Sequence, residues 1–228
     1  MSDGEAVRIE VEGQGAVSGL WLAPPSASAA LVLAHGAGAG MAHRGMAGLA
    51  AGLADRHVAT LRFQFPFMER GSRRPDPPAI AQAAVRGAVA ATRGLAPALP
   101  LFAGGRSFGG RMTAYAGAEA PLPGVRGLVF FAFPLHPAGK PGTDRAVPLA
   151  AVGLPMLFLQ GTRDALARLD LLQATVAGLG PRATLELAAD ADHDFHVPKR
   201  TGRSDTEVLA GLLDAAAAWM AAQASARA

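Results

Sequence analysis

Ser107 stands in Gly105-Arg106-Ser107-Phe108-Gly109, a serine with a glycine two residues to either side. Far downstream come Asp164, in Gly161-Thr162-Arg163-Asp164, and then His193, in Asp190-Ala191-Asp192-His193-Asp194-Phe195-His196. A serine hydroxyl is a weak nucleophile until a base takes its proton, and an imidazole base works best when a carboxylate orients it. Serine, acid and histidine in this chain order are one known arrangement of such a triad, with the serine on a sharp strand-to-helix turn. That turn leaves little room for side chains two positions before and after the serine, which is the steric reason for Gly105 and Gly109. A glycine-rich turn with an incidental serine is the competing reading. Asp164 fits the acid because it follows an apolar run and precedes a helical one, though Asp is also a common helix N-cap. Asp144 lies far from any strand end and Asp170 lies inside an expected helix, so both are weaker rivals. His196 is the alternative base, and Asp192 and Asp194 would raise the pKa of His193 if they lie against it.

Acyl transfer also needs donors for the oxyanion. One is the backbone N–H of Phe108, just after the serine. The other is expected in the small-residue loop Ala34-His35-Gly36-Ala37-Gly38-Ala39-Gly40, with Ala37 first and Gly38 behind it. Glycine-rich strand-to-helix turns also cradle phosphate, but neither G-x-x-x-x-G-K-[ST] nor a strict G-x-G-x-x-G with a suitable acid is present. His35 reads as a structural histidine tying nearby loops.

These residues need a scaffold that brings loops together. Residues 7–11 and 17–22 alternate around Gly13-Gln14-Gly15, as two paired strands do. Short continuous apolar runs at 30–34, 58–65, 99–103, 125–133 and 156–160 mark strands covered on both faces, and 184–187 a last strand. Helical patterns lie between them at 46–53, 78–95, 109–118 and 166–176, with proline-rich loop at 66–78. Ser204 and Glu207 have capping-box spacing, and Val208, Leu209, Leu212, Leu213, Ala216, Trp219 and Met220 form one apolar stripe after them. Strands alternating with helices predict an α/β fold, a mostly parallel central sheet with helices on both faces, in one domain over residues 1–228. In such sheets ligands sit beyond the carboxyl ends of the strands, where Ser107, Asp164 and His193 all lie.

Composition narrows the chemistry. Half of the 228 residues are hydrophobic and 17% are charged, enough apolar side chain for a sizeable core. Cysteine is absent, which excludes disulfides, thiolate zinc sites, iron–sulfur clusters and a cysteine nucleophile. The zero count and the lack of a signal-like N-terminus agree with a cytoplasmic protein. No apolar run was expected to approach a membrane span of about 18 to 20 residues. Net charge is +3, all but two of the 21 basic residues are arginines, and no block of like charge occurs, so no nucleic-acid partner is expected. No cofactor or metal is called for, since no H-E-x-x-H or other paired-ligand spacing exists. Oligomeric state is left open.

Six segments in order carry a resemblance: L-A-H-G-A-G-A-G, R-F-Q-F-P-F-M-E-R-G, G-G-R-S-F-G-G-R-M, F-P-L-H-P-A-G-K-P, L-Q-G-T-R-D and D-H-D-F-H-V-P-K-R. Together, over about residues 31–203, they resemble the compact, dienelactone-hydrolase-like branch of the α/β-hydrolase superfamily. That branch includes bacterial hydrolases, and its eukaryotic relatives are testis-expressed proteins and a subunit of the NSL chromatin acetyltransferase complex. The resemblance implies a three-layer α/β-hydrolase fold with Ser107, Asp164 and His193 as the triad. It favours His193 over His196, because the family's D-H-x-F places the histidine before the phenylalanine. Dienelactone hydrolase itself uses cysteine where this chain has Ser107, so that activity is not carried over.

Residues 134–153 are too few for the helical cap that many relatives insert there, so an open site without a cap domain is expected. Phe65, Phe67, Met68, His136 and His196, with Gly38, are the candidate substrate-binding residues. Arg70, Arg73, Arg74, His136, Lys140, Arg163, Lys199, Arg200 and Arg203 are either a cationic rim favouring anionic substrates or scattered solvated charge. The expected function is a serine hydrolase cleaving a small-molecule carboxylic ester or thioester through an acyl-enzyme. The alternative is a non-catalytic binding or scaffold protein on the same fold.

Overall fold

The computed structural model describes residues 4–226. Eight strands form one sheet: β1 (Glu5–Val11), β2 (Gly15–Leu22), β3 (Ala29–Ala34), β4 (Val58–Phe63), β5 (Leu101–Arg106), β6 (Val125–Phe131), β7 (Met156–Gly161) and β8 (Ala183–Ala188). Their spatial order is β1-β2-β4-β3-β5-β6-β7-β8. Strand β2 runs antiparallel to both neighbours, and every pairing from β4 to β8 is parallel. The helices are α1 (Arg44–Ala54), α2 (Pro66–Glu69), α3 (Pro78–Leu95), α4 (Phe108–Glu119), α5 (Leu169–Gly178) and α6 (Asp205–Ser225).

The continuous apolar runs occupy the middle of the sheet because both of their faces are covered. In β3, Ala30, Val32 and Ala34 join one core layer with Val85 and Val89 of α3 and Met112 of α4. The alternate residues Ala29, Leu31 and Leu33 join the other, with Met46 and Leu53 of α1 and Leu212 and Met220 of α6. The result is the expected three-layer arrangement, and no cap domain covers the carboxyl end of the sheet among the described residues.

Helix α6 starts where the capping box places it: Ser204 Oγ accepts from the Glu207 amide at 3.2 Å, and Glu207 Oε2 accepts from the Ser204 amide at 2.7 Å. Its richest 18-residue window has a mean hydropathy of 1.3, so by length and composition α6 alone among the described helices could cross a membrane, contrary to expectation. It is docked on the sheet instead, with Val208, Leu212, Leu213, Ala216 and Met220 buried.

Local differences from the expected elements have local causes. The β4 strand ends at Phe63, two residues early, because Pro66 opens the short helix α2 inside the anticipated loop. Helix α5 begins at Leu169, because the Asp164 carboxylate captures the Leu166 amide and His136 captures the Arg168 amide, holding 164–168 as a turn. A 3₁₀ segment at Asp144–Ala151, with Pro148 inside it, was not anticipated.

Candidate active site

Strand β5 ends at Arg106 and α4 begins at Phe108, so Ser107 is the whole turn between them. Its backbone has φ 51° and ψ −116°, a conformation costly for a residue with a Cβ and common where structure enforces function. The strain is held by the Ser107 amide donating to Phe131 O at 3.0 Å and by Ser107 O accepting from the Arg111 amide at 3.1 Å. The flanking glycines are required by close approach. A Cβ on Gly105 would lie 2.3 Å, and one on Gly109 2.4 Å, from the carbonyl oxygen of Ala34.

The loop after β8 brings His193 to this turn, and its Nε2 lies 2.9 Å from Ser107 Oγ. Its Nδ1 lies 2.7 Å from Oδ2 of Asp164, in the loop after β7. An ionised carboxylate can only accept, so Nδ1 carries the ring proton and Nε2 is free to accept from the serine hydroxyl. The Asp164 side chain is fully buried. Its Oδ1 accepts from the Leu166 amide at 2.7 Å, and its Oδ2 also accepts from the side-chain amide of Gln160. The sequence reading missed Gln160, although it is the one polar side chain in the otherwise apolar run of β7. The rivals lie elsewhere: Asp170 pairs with Arg168 at 2.7 Å, and Asp144 opens the 3₁₀ segment. His196 is exposed and bonded to Asp205 at 2.8 Å, which holds its pKa above the ordinary value. The flanking acids are also engaged: Asp192 Oδ1 accepts from the amides of Asp194 and His196, and the Asp194 carboxylate pairs with Arg106.

Ala37 and Gly38 line a cavity of about 280 Å³ at Ser107, together with Gly36, Ala39, His43, Met46, Arg106, His193 and Asp194. As the first residue of α4, Phe108 presents a helix N-terminal amide that has no acceptor within the helix. The loop carrying Ala37 is shaped by His35, whose Nδ1 donates to Gly36 O at 2.7 Å while Nε2 accepts from the Phe65 amide at 3.1 Å. Burial pushes the His35 pKa down to about 4, so the ring is neutral and can both donate and accept.

Of the expected substrate-binding residues, Gly38 lines the cavity and the others sit elsewhere. Phe65 and Phe67 are fully buried, with Phe65 4.9 Å from the His35 ring and 5.2 Å from the Phe108 ring. Both rings pack against those of His35 and Phe108, and Met68 is half-buried against the same core. His136 is buried, donating from Nδ1 to Pro137 O and accepting at Nε2 from the Arg168 amide, which braces the segment after Asp164. It faces a separate cavity with Lys140 and Arg145. Arg70 is turned to Asp76 and Arg200 to Asp190. Among the described residues the cation lining the cavity at Ser107 is Arg106, which was not counted in the rim. Asp194, read only as a neighbour of His193, also lines the cavity, as do His43 and Met46, which no motif marks.

Comparison with known proteins agrees with this fold. No curated protein matches the chain. Among solved structures, dienelactone hydrolase from Anabaena variabilis superposes with a TM-score of 0.75 at 20% identity, covering 94% of this chain and 95% of that one. An alpha-beta serine hydrolase homologue from Coxiella burnetii gives 0.75 at 19% identity over 94% and 98%. A lidless α/β serine hydrolase from Xanthomonas campestris gives 0.74 at 20% identity over 96% of each chain. These likenesses establish the fold. A family model described as an alpha/beta hydrolase domain matches residues 27–221, nearly the whole chain, so the protein belongs to the alpha/beta hydrolase family.

Proposed function

We propose that the protein is a serine hydrolase that cleaves a carboxylic ester or thioester through an acyl-enzyme. The observation carrying this reading is the continuous chain from Asp164 Oδ2 to His193 Nδ1 (2.7 Å) and from His193 Nε2 to Ser107 Oγ (2.9 Å) beside an open cavity. In the first half-reaction Ser107 Oγ attacks the acyl carbon while His193 Nε2 takes the hydroxyl proton. The negative charge that develops on the carbonyl oxygen is met by the backbone amides of Ala37 and Phe108. Collapse breaks the bond to the alcohol or thiol, which leaves with the proton from His193. Water then enters the same position, gives its proton to His193 and attacks the acyl-serine. The acid departs as Ser107 recovers the proton. Asp164 does not change protonation; it holds the imidazole tautomer and stabilises the imidazolium.

The test is labelling with an uncharged fluorophosphonate, followed by mass spectrometry, alongside hydrolysis of p-nitrophenyl acetate. Stoichiometric modification at Ser107, lost together with hydrolysis in Ser107→Ala, is expected. Folded wild-type protein that is neither labelled nor active would instead be a binding protein on a hydrolase fold.

A further inference from the structure

The loop bearing His193 is tied on one side to the loop after β7 that carries Asp164. Arg163 N donates to Ala191 O at 2.8 Å, and the Asp190 amide donates to Thr162 Oγ1 at 2.8 Å. Those bonds place the base relative to Asp164. They do not reach the nucleophile, which rides on β5.

Arg106, the variable residue of G-x-S-x-G, makes that second connection. Its Nη2 donates to the carbonyl oxygen of His193 at 3.4 Å and pairs with the carboxylate of Asp194, the residues at and just after the base. The Arg106 side chain is only 18% exposed, whereas the Asp194 side chain is 76% exposed. An ion pair with so solvated a partner adds little to stability. What it supplies is position: one side chain, directly joined to Ser107, holds the backbone of the base. Its seat is prepared on a third segment, since a Cβ on Gly45, at the start of α1, would lie 3.1 Å from Arg106 Nη1.

The geometry points to Arg106, with Asp194 as its anchor, as a positioning residue that sets the distance between His193 and Ser107. The inference rests on the reading of Ser107 as nucleophile and His193 as base. A misplacement of about 1 Å in a reacting pair can cost up to about 100-fold in rate.

The experiment compares wild type, R106M, R106K, D194N and R106M/D194N. It measures kcat and KM for p-nitrophenyl acetate, the rate of Ser107 phosphonylation by an uncharged fluorophosphonate, and the thermal midpoint. R106M is expected to lower kcat and the phosphonylation rate together by about 10- to 100-fold, with KM within about twofold and an essentially unchanged midpoint. R106K should recover part of the loss. D194N should lose less than R106M, and the double variant should be no slower than R106M, because both substitutions remove one connection. Rates within about twofold of wild type in R106M, a loss confined to KM, or independent effects in the double variant each overturn the inference. Wild type that resists labelling overturns the hydrolase reading and this inference with it, whereas labelled wild type beside an unaffected R106M overturns this inference alone.

Discussion

The carboxylate of Asp164 accepts from three donors, His193 Nδ1, the Leu166 amide and the Gln160 side chain, while its own side chain is shut off from solvent. In that setting the imidazole finds one orientation. Asp164→Asn replaces an acceptor by a group that can donate to Nδ1, favouring the tautomer that cannot take the serine proton. A fall in kcat of roughly 10⁴-fold is expected, read by hydrolysis of p-nitrophenyl acetate. Gln160→Met keeps the volume and removes the donor, so kcat should drop by about tenfold with KM little changed. His35 makes a prediction about stability. Its pKa is about 4 folded and about 6.5 unfolded. Between these values the unfolded chain binds more protons, so stability rises with pH across that window. Denaturant titrations from pH 7 to pH 4 should show a loss of up to about 3 kcal/mol from this group. The slope should flatten in His35→Gln.

At the scale of elements, the candidate active site depends on three turns placed at the carboxyl ends of β5, β7 and β8. The Ser107 turn is rigid because glycines let α4 and β3 close on it. The remaining helices act by covering the sheet. The cap of α6 is therefore a handle on stability that leaves the chemistry alone. Ser204→Ala removes the acceptor for the Glu207 amide and should cost about 1 kcal/mol in urea unfolding, with kcat unchanged.

For the molecule as a whole, with no cap domain among the described residues, substrate choice in the proposed reaction falls to the loops around a cavity of about 280 Å³, one wall of which is the small-residue segment Gly36, Ala37, Gly38 and Ala39. The aromatic side chains that would have lengthened an acyl pocket, Phe65 and Phe67, lie beneath it. Each methylene of an acyl chain gains about 0.8 kcal/mol only where it is buried. Chains beyond about four carbons therefore have little to gain. In a p-nitrophenyl ester series, kcat/KM should be highest for acetate to butyrate and at least about tenfold lower for octanoate. A rising series would place an extended apolar channel at this site.

The fold and the three residues that meet at Ser107 were legible because each depends on local pattern. A strand buried on both faces must read as an unbroken apolar run, and a turn as sharp as that at Ser107 must carry glycines at 105 and 109. The order serine, acid, histidine follows from the order of the strands. What lines the cavity followed no such rule. Phe65 and Phe67 are buried against His35, which accepts from the Phe65 amide, and His196 turns outward to Asp205. Arg106 reaches the base across 87 residues of chain. Periodicity and turn chemistry are properties of neighbouring residues, so the sequence alone determined the architecture and the turns on which Ser107, Asp164 and His193 stand. Which side chains meet across separate strands depends on how those strands stack, and only the tertiary structure decided what surrounds Ser107 and which side chains contact the segment of His193.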